Sequence, residues 1–475
     1  MADPVILPRH LIVSDRRLKR AALWLLLAVA FVLRLVTLPR KSLWLDELVT
    51  LQIASRSPWD IITLRGGDPH PPLYYLLMHY WVRLGQTELI LRLPSALSGA
   101  LSVLLLYVLM RRWGQRWAAL TAALLLAFAP MHVWYSQEAR MYALVCLWGL
   151  ASALAFTWAI RTDSLMAWCA WILVTAAGLF THYSMLLVLL AEVATWIALR
   201  RTGRVSGARS WLSLPALLLV VLLYIPQAMI FVSQLIVSPI DTYYITLQTL
   251  LTSYGLDVTA THLHMVTLAG GAALLCVIGI LVWFPFGCVR IDWTSTGLIV
   301  GICSLYVAVL LVWAVPRGLG LKRQVLLLLP FFLAFMAAAI ARHPQRLRIL
   351  AALVLLTLPF TGYDTLVHQQ QMWRGVARFL DRQAAPADVI LLNPPWMQDV
   401  LEYYYHGPTP RQGIDPQGVP AKLAELVPAS ERTWLVLSSE KYTDPQARVE
   451  TWLRQQHHFQ QEYSFPGVRV QVYTP

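Results

Sequence analysis

Charge is scarce in this chain: only 13% of its 475 residues are Asp, Glu, Lys or Arg, while 58% are hydrophobic and the mean hydropathy is +0.57. Soluble globular domains carry about 25% charged residues, so a wholly soluble chain is excluded and an integral membrane protein is indicated. Acids are scarcer than bases, 25 against 38, for a net charge of +13. With 20 Trp, that excess could suggest a nucleic-acid binder. The Arg residues, however, lie in short clusters between long apolar runs, as the positive-inside rule expects, and not along one face of a soluble domain. Nucleic acid is therefore excluded as a partner. Cysteine is also rare, and Cys146, Cys169, Cys276, Cys288 and Cys303 all fall in or beside apolar runs. No disulfide framework or CxxC zinc site is supported. Neither a P-loop nor a GxGxxG occurs, which removes the case for nucleotide binding. Internal repeats and low-complexity segments are lacking too.

What the chain does have is apolar runs long enough to cross a bilayer, for which about 20 residues suffice. Candidate spans fall at 21–38, 92–110, 118–132, 141–160, 165–180, 184–199, 211–233, 264–285, 297–315, 325–341 and 349–366. The first lacks a small-residue cleavage site and reads as an uncleaved helix, not a signal peptide. Cations at the N-terminus, at Arg111/Arg112/Arg116, Arg161, Arg200/Arg201/Arg204/Arg209, Arg290 and Arg342/Arg346/Arg348 mark every second boundary. Those loops are expected to face the cytoplasm. With eleven spans the N-terminus is then inside and the tail outside. The predicted fold is an α-helical polytopic membrane protein, with a long first outer loop at 39–91 and a small extracytoplasmic C-terminal α/β domain. Residues 1–366 would form the membrane domain and 367–475 the outer one. In the latter, DVILLN, RTWLVLSS and VRVQVY read as strands, with amphipathic MWRGVARFLDRQ and PQARVETWLRQQ between them.

Polar and ionisable residues gather in the outer loops. SLWLDELVT, 42–50, sets Asp46 beside Glu47, where desolvation near a bilayer raises a carboxyl pKa and an idle acid is costly. The bland reading is a helix capped by Ser42 with two acids in its first turn. GGDPHPPLYYLLMHYW, 66–81, presents Asp68 and His70 on a stiff turn ahead of an aromatic interfacial helix. A lone His here reads as a hydrogen-bonding structural residue, although two acids and an imidazole in one loop could also hold a divalent cation, and metal binding stays open. HVWYSQEARMYAL, 132–144, carries Glu138 and Arg140 between Tyr135 and Tyr142. The bland account is a local ion pair that anchors the helix end, and surface pairs are worth little. THYS adds His182, and PRGLGLKRQ, 316–324, adds Arg317, Lys322 and Arg323. That last cluster breaks the positive-inside rule and invites an anion, since Arg matches phosphate with a bidentate fork. Arg34, near the outer end of the first span, must snorkel or find an anionic partner.

SLWLDE, HPPLYYLLMHYWVRL, LRLPSALSGALSVLLLY, YSQEARMYAL and THYSMLL, in this order, resemble the bacterial GT-C glycosyltransferases. The nearest types are the protein O-mannosyltransferases of family 39 and the related lipid-linked sugar transferases. The resemblance covers roughly the first 200 residues. It implies transfer of a sugar from a polyprenyl-phosphate carrier to a glycan, lipid or protein acceptor at the outer face, with inversion at the anomeric carbon. It also implies that the essential acidic pair of the first outer loop is Asp46 and Glu47, with Asp46 as general base. The family's Arg-Tyr phrase that meets the lipid phosphate reads Arg323-Gln324 here. Candidate substrate-binding residues are then Arg34, Asp68, His70, Glu138, Arg140, Tyr142, His182, Arg317, Lys322 and Arg323.

The chemistry is coherent. A glycosyl phosphate already carries a good leaving group, so the site needs a base for the acceptor and cations for the departing phosphate, not the paired acid and base of glycoside hydrolysis. The expected location is the cytoplasmic membrane. The alternative is a transporter or flippase of lipid-linked precursors without bond chemistry, which should instead show charged or Gly/Pro-broken spans in paired halves. A non-enzymatic envelope scaffold would leave the acidic pair without a purpose.

Overall fold

The computed structural model describes residues 9–63, 70–203, 211–237, 324–341, 371–427, 430–438 and 444–475. In chain order the α-helices are α1 (Arg9–Leu35), α2 (Leu45–Ala54), α3 (Pro58–Ile62), α4 (Leu73–Trp81), α5 (Glu88–Arg112), α6 (Arg116–Phe128), α7 (Pro130–Tyr135), α8 (Tyr142–Thr162), α9 (Leu165–Leu179), α10 (Met185–Arg201), α11 (Ser213–Val237) and α12 (Leu329–Ile340). The chain divides into two compact units. The first takes Met1–Val36, Ser57–Tyr80 and Arg92–Leu366; the second takes Thr37–Arg56, Trp81–Leu91 and Val367–Pro475.

The first unit is helical and built around small residues. Ala118, Ala119, Ala122, Ala123 and Ala127 on α6 share one buried cluster with Phe331, Ala334 and Ala337 on α12. Between apolar helices in lipid, close backbone approach through small side chains supplies the packing that hydrophobic exclusion cannot. Among the described residues Glu88–Arg112, Tyr142–Thr162 and Ser213–Ile230 are long and apolar enough to cross a membrane, and shorter apolar helices accompany them. The expected spans at 264–285, 297–315 and 349–366 lie outside the described residues.

Two differences from the sequence reading trace to proline. The run expected to span 118–132 is broken after Phe128, where Pro130 opens the separate helix α7 at its first position, because proline cannot donate into a continuing helix. Conversely, α5 starts at Glu88, earlier than expected, and runs through Pro94. The carbonyl that Pro94 cannot serve, that of Ile90, accepts the indole N–H of Trp81 at 2.8 Å. Deeper in the bundle, Glu192 of α10 is fully buried. Its carboxyl oxygens accept from Ser152 of α8 (2.8 Å) and from Trp171 of α9 (2.8 Å), and the Ser152 hydroxyl lies 2.8 Å from that of Thr175. One acid thus clasps three helices, as a buried carboxyl must be hydrogen-bonded to be tolerated.

The second unit holds a five-stranded sheet. Its elements are α13 (Trp373–Gln383), β1 (Val389–Asn393), α14 (Met397–Tyr404), β2 (Arg411–Gly413), α15 (Ala421–Leu426), β3 (Thr433–Leu437), α16 (Arg448–Gln456), β4 (His458–Phe465) and β5 (Val468–Thr474), with strand order β2-β1-β3-β5-β4. β1 pairs in parallel with β2 and β3, while β5 runs antiparallel to both β3 and β4. β1 and β3 are buried along their whole length, which is why VILLN and TWLVL are continuous apolar runs and not alternating ones. On one face Leu391, Leu435 and Leu437 pack with Val449 and Leu453 of α16. On the other, Phe379 of α13 meets the ring of Trp434 at 5.8 Å. The C-terminal α/β character expected from the sequence is present, with β2 and the polar, exposed edge strand β4 in addition.

Candidate functional site

The acidic pair opens α2. Trp44 is the N-cap residue, so Asp46 and Glu47 sit at the second and third helical positions, where the dipole favours negative charge. Glu47 is fully buried, and its Oε2 accepts from the Trp44 N–H at 3.4 Å, the backward reach of a capping box. Asp46 is half-buried at the same helix end. Ser42, the cap expected from the sequence, bonds elsewhere, because its hydroxyl accepts the backbone N–H of Arg374 at 3.1 Å.

That bond belongs to a network bracing the acid-bearing segment. Arg374 of α13 pairs with Glu88 and donates to the Pro39 carbonyl at 3.1 Å. The Tyr404 hydroxyl donates to Glu88 at 2.8 Å and accepts from the Leu43 N–H at 2.7 Å. On the far side of α2, Gln52 donates to Asp399 of α14 at 3.0 Å. Burial opposes the Arg374 charge, but the hydrogen bond and charge of Glu88 outweigh it and raise its pKa. Burial, with Glu88 alongside, pushes the Tyr404 phenol up. At physiological pH the phenol therefore stays a donor and the guanidinium stays charged. An open groove of about 570 Å³ lies here, lined by Pro39, Gln86, Thr87, Glu88, Arg374, Arg378, Tyr403 and Tyr404.

In the first unit, residues far apart in sequence form one polar aromatic cluster. The Leu73 N–H donates to the Phe180 carbonyl at 2.9 Å, tying the start of α4 to the end of α9. His70 and His182 then lie with ring centroids 5.3 Å apart, His182 and Tyr142 at 5.8 Å, and Tyr142 and Tyr135 at 5.4 Å. The Ser184 N–H donates to Nδ1 of His182 at 3.0 Å, which makes Nδ1 the acceptor and places the ring proton on Nε2. Glu138 accepts the indole N–H of Trp134 at 2.7 Å, and Arg140 reaches the Tyr75 hydroxyl at 3.4 Å. Both charges are buried, at 7% and 3% exposure, so the small worth of an exposed ion pair does not apply to them.

Arg34 is fully buried, and each of its guanidinium nitrogens is engaged. Nη1 donates to the carbonyls of Ala30 (2.7 Å) and Ala127 (3.2 Å). Nη2 lies 2.7 Å from Nδ1 of His132 and 3.5 Å from the Leu126 carbonyl, and Nε lies 3.3 Å from the Ser136 hydroxyl. This cation ties α1 to α6 and α7. Asp68, Arg317, Lys322 and Arg323 lie outside the described residues. Among the described residues no group of three or more His, Cys, Asp and Glu side chains could hold a metal ion. Sequence reasoning passed over Glu88, Arg374, Tyr404 and Tyr75. Arg374 sits in the WRGVARFL phrase, but nothing local signals that its partner lies 286 residues away.

Residues 69–230 match the family model of dolichyl-phosphate-mannose-protein mannosyltransferases. No curated protein matches the chain in sequence. Among solved structures the chain is similar to ArnT from Cupriavidus metallidurans bound to undecaprenyl phosphate, at 14% identity and a TM-score of 0.57 over 95% of this chain and 97% of that one. It is also similar to the apo oligosaccharyltransferase of Archaeoglobus fulgidus, at 12% identity and a TM-score of 0.51 over 91% of this chain and 71% of that one. The chain thus fits the GT-C superfamily of glycosyltransferases in fold, and over residues 69–230 it resembles the protein mannosyltransferases.

Proposed function

We propose that the protein is an inverting glycosyltransferase of the cytoplasmic membrane, with a cytoplasmic N-terminus and an extracytoplasmic tail. It moves a sugar from a polyprenyl-phosphate carrier to an acceptor hydroxyl at the outer face. The Asp46 carboxylate takes the acceptor proton as that oxygen attacks the anomeric carbon, and the bond from carbon to phosphate oxygen breaks on the opposite face. The lipid phosphate departs with the electron pair, and Arg317, Lys322 and Arg323 hold its charge. Charge stabilisation of this kind matters most where water is excluded.

The observation that carries this reading is the different situation of the two acids. Glu47 is fully buried and bonded to the backbone at the start of α2, whereas Asp46 is half-buried on the same turn. A base must reach substrate and Asp46 has that exposure; Glu47 holds the turn. The Arg374, Tyr404 and Asp399 contacts support a positioning role for the tail, since they fix both ends of the segment bearing the acids. Family likeness over 69–230 and the fold shared with a structure that holds undecaprenyl phosphate support a lipid-linked donor.

The test is Asp46→Asn, which keeps size and polarity but cannot accept the proton. Loss of a general base lowers turnover by about 10²–10⁴-fold, here with donor binding and thermal stability retained. Glu47→Gln should lower stability first and activity only as a consequence. Full turnover by Asp46→Asn removes the base assignment.

A further inference from the structure

A second cavity lies in the helical unit, at the end of the bundle opposite the outer loops in the orientation proposed above. It has a volume of about 340 Å³, within the range of small-molecule pockets. Leu105 and Val108 of α5 and Leu154 and Trp158 of α8 stand in its apolar wall, and its polar lining includes Arg112, Arg161, Thr157 and Thr162. Both arginines stand in the last turn of their helices and both are exposed. Arg161 donates to the Arg112 carbonyl, so it also caps the end of α5. Among the described residues the Arg112 guanidinium has no hydrogen-bond or ion-pair partner.

The chemistry of the occupant follows. The wall belongs to two helices long and apolar enough to cross a bilayer, so in a membrane this groove would face lipid and an occupant would be amphiphilic. The ends of α5 and α8 present the negative poles of their dipoles. An anion would be repelled there unless the two guanidiniums outweighed them, and guanidinium pairs with phosphate oxygens through two parallel hydrogen bonds. Trp158 lies close to the C-terminal end of α8, where an aromatic side chain suits head-group depth.

We infer that this groove binds one anionic diacyl phospholipid, with an acyl chain along Leu105, Val108 and Leu154 and its phosphate between Arg112 and Arg161. In the proposed orientation the lipid comes from the cytoplasmic leaflet, on the side away from the transfer chemistry. Its role is to lock α5 to α8 at that end.

Native mass spectrometry of the purified full-length protein tests this with phosphatidylglycerol, phosphatidylcholine and undecaprenyl phosphate supplied in turn. Retention of one phosphatidylglycerol in preference to phosphatidylcholine is expected, weakened about fivefold by each of Arg112→Gln and Arg161→Gln, as each basic side chain near a bilayer surface contributes. Leu154→Trp, which fills the groove and leaves both cations, should abolish retention. Equal binding of the two phospholipids, or a preference untouched by these three variants, overturns the inference. Displacement of phosphatidylglycerol by equimolar undecaprenyl phosphate overturns the identity of the occupant. The readout is binding, so it stands or falls separately from transfer.

Discussion

Replacing Arg374 and Glu88, singly and together, should reveal a coupling that belongs to the pair and not to either residue. Their side chains are 27% and 13% exposed, between the limits for which energies are best known. Exposed ion pairs contribute about 0.2–1 kcal/mol, and breaking a buried pair costs about 3–5 kcal/mol. Arg374→Gln leaves the Glu88 carboxylate with Tyr404 as its side-chain donor, and it removes the bond to the Pro39 carbonyl. Glu88→Gln leaves a guanidinium that has lost its counter-ion. Each single change should therefore cost about 2 kcal/mol, and the double change should cost less than the sum, because it strands no charge. A coupling of about 1–2 kcal/mol is expected. Thermal unfolding in one detergent, with tryptic cleavage within residues 367–475 as the probe, measures it. The network also holds Pro39, Ser42 and Leu43 ahead of Asp46, so Arg374→Gln should lower turnover with little change in donor KM. Strictly additive shifts, or full turnover in Arg374→Gln, refute the bracing argument.

Two further outcomes concern the helical unit. A Cβ at Gly99 would come within 2.0 Å of the Ser136 hydroxyl and 2.9 Å of Arg34 Nε, so Gly99→Ala should destabilise by about 1–3 kcal/mol, read as a lower melting temperature. Arg34→Met strands several buried acceptors and should cost at least about 2–3 kcal/mol, again read by melting, while donor KM stays put; Arg323→Ala should do the reverse, raising donor KM at constant stability.

Much of this is legible in the chain, and the reasons are specific. Long apolar runs announce the membrane helices, and the uninterrupted VILLN and TWLVL runs announce strands covered on both faces. Polar and ionisable residues in the segments 66–81, 132–144 and 181–184 single out His70, Glu138, Arg140, Tyr142 and His182; the fold brings the rings of His70, His182 and Tyr142 together, with Leu73 tied to Phe180. What escapes are features decided at a distance. Arg34 reads as a ligand for an anion until its donors are matched to α6, α7 and its own helix. Ser42 reads as a helix cap, yet its partner is a backbone N–H at residue 374. The Glu88, Arg374 and Tyr404 network joins three stretches of sequence that no periodicity links. β4 escapes because an exposed edge strand of polar residues carries no apolar pattern.

The most direct measurement supplies purified protein in lipid with radiolabelled polyprenyl-phosphate sugars and a membrane extract, then determines the anomeric configuration of the labelled product. A product of inverted configuration is expected from the wild-type chain and none from Asp46→Asn. A retained configuration, or label that crosses the membrane still attached to its carrier, would contradict inverting transfer.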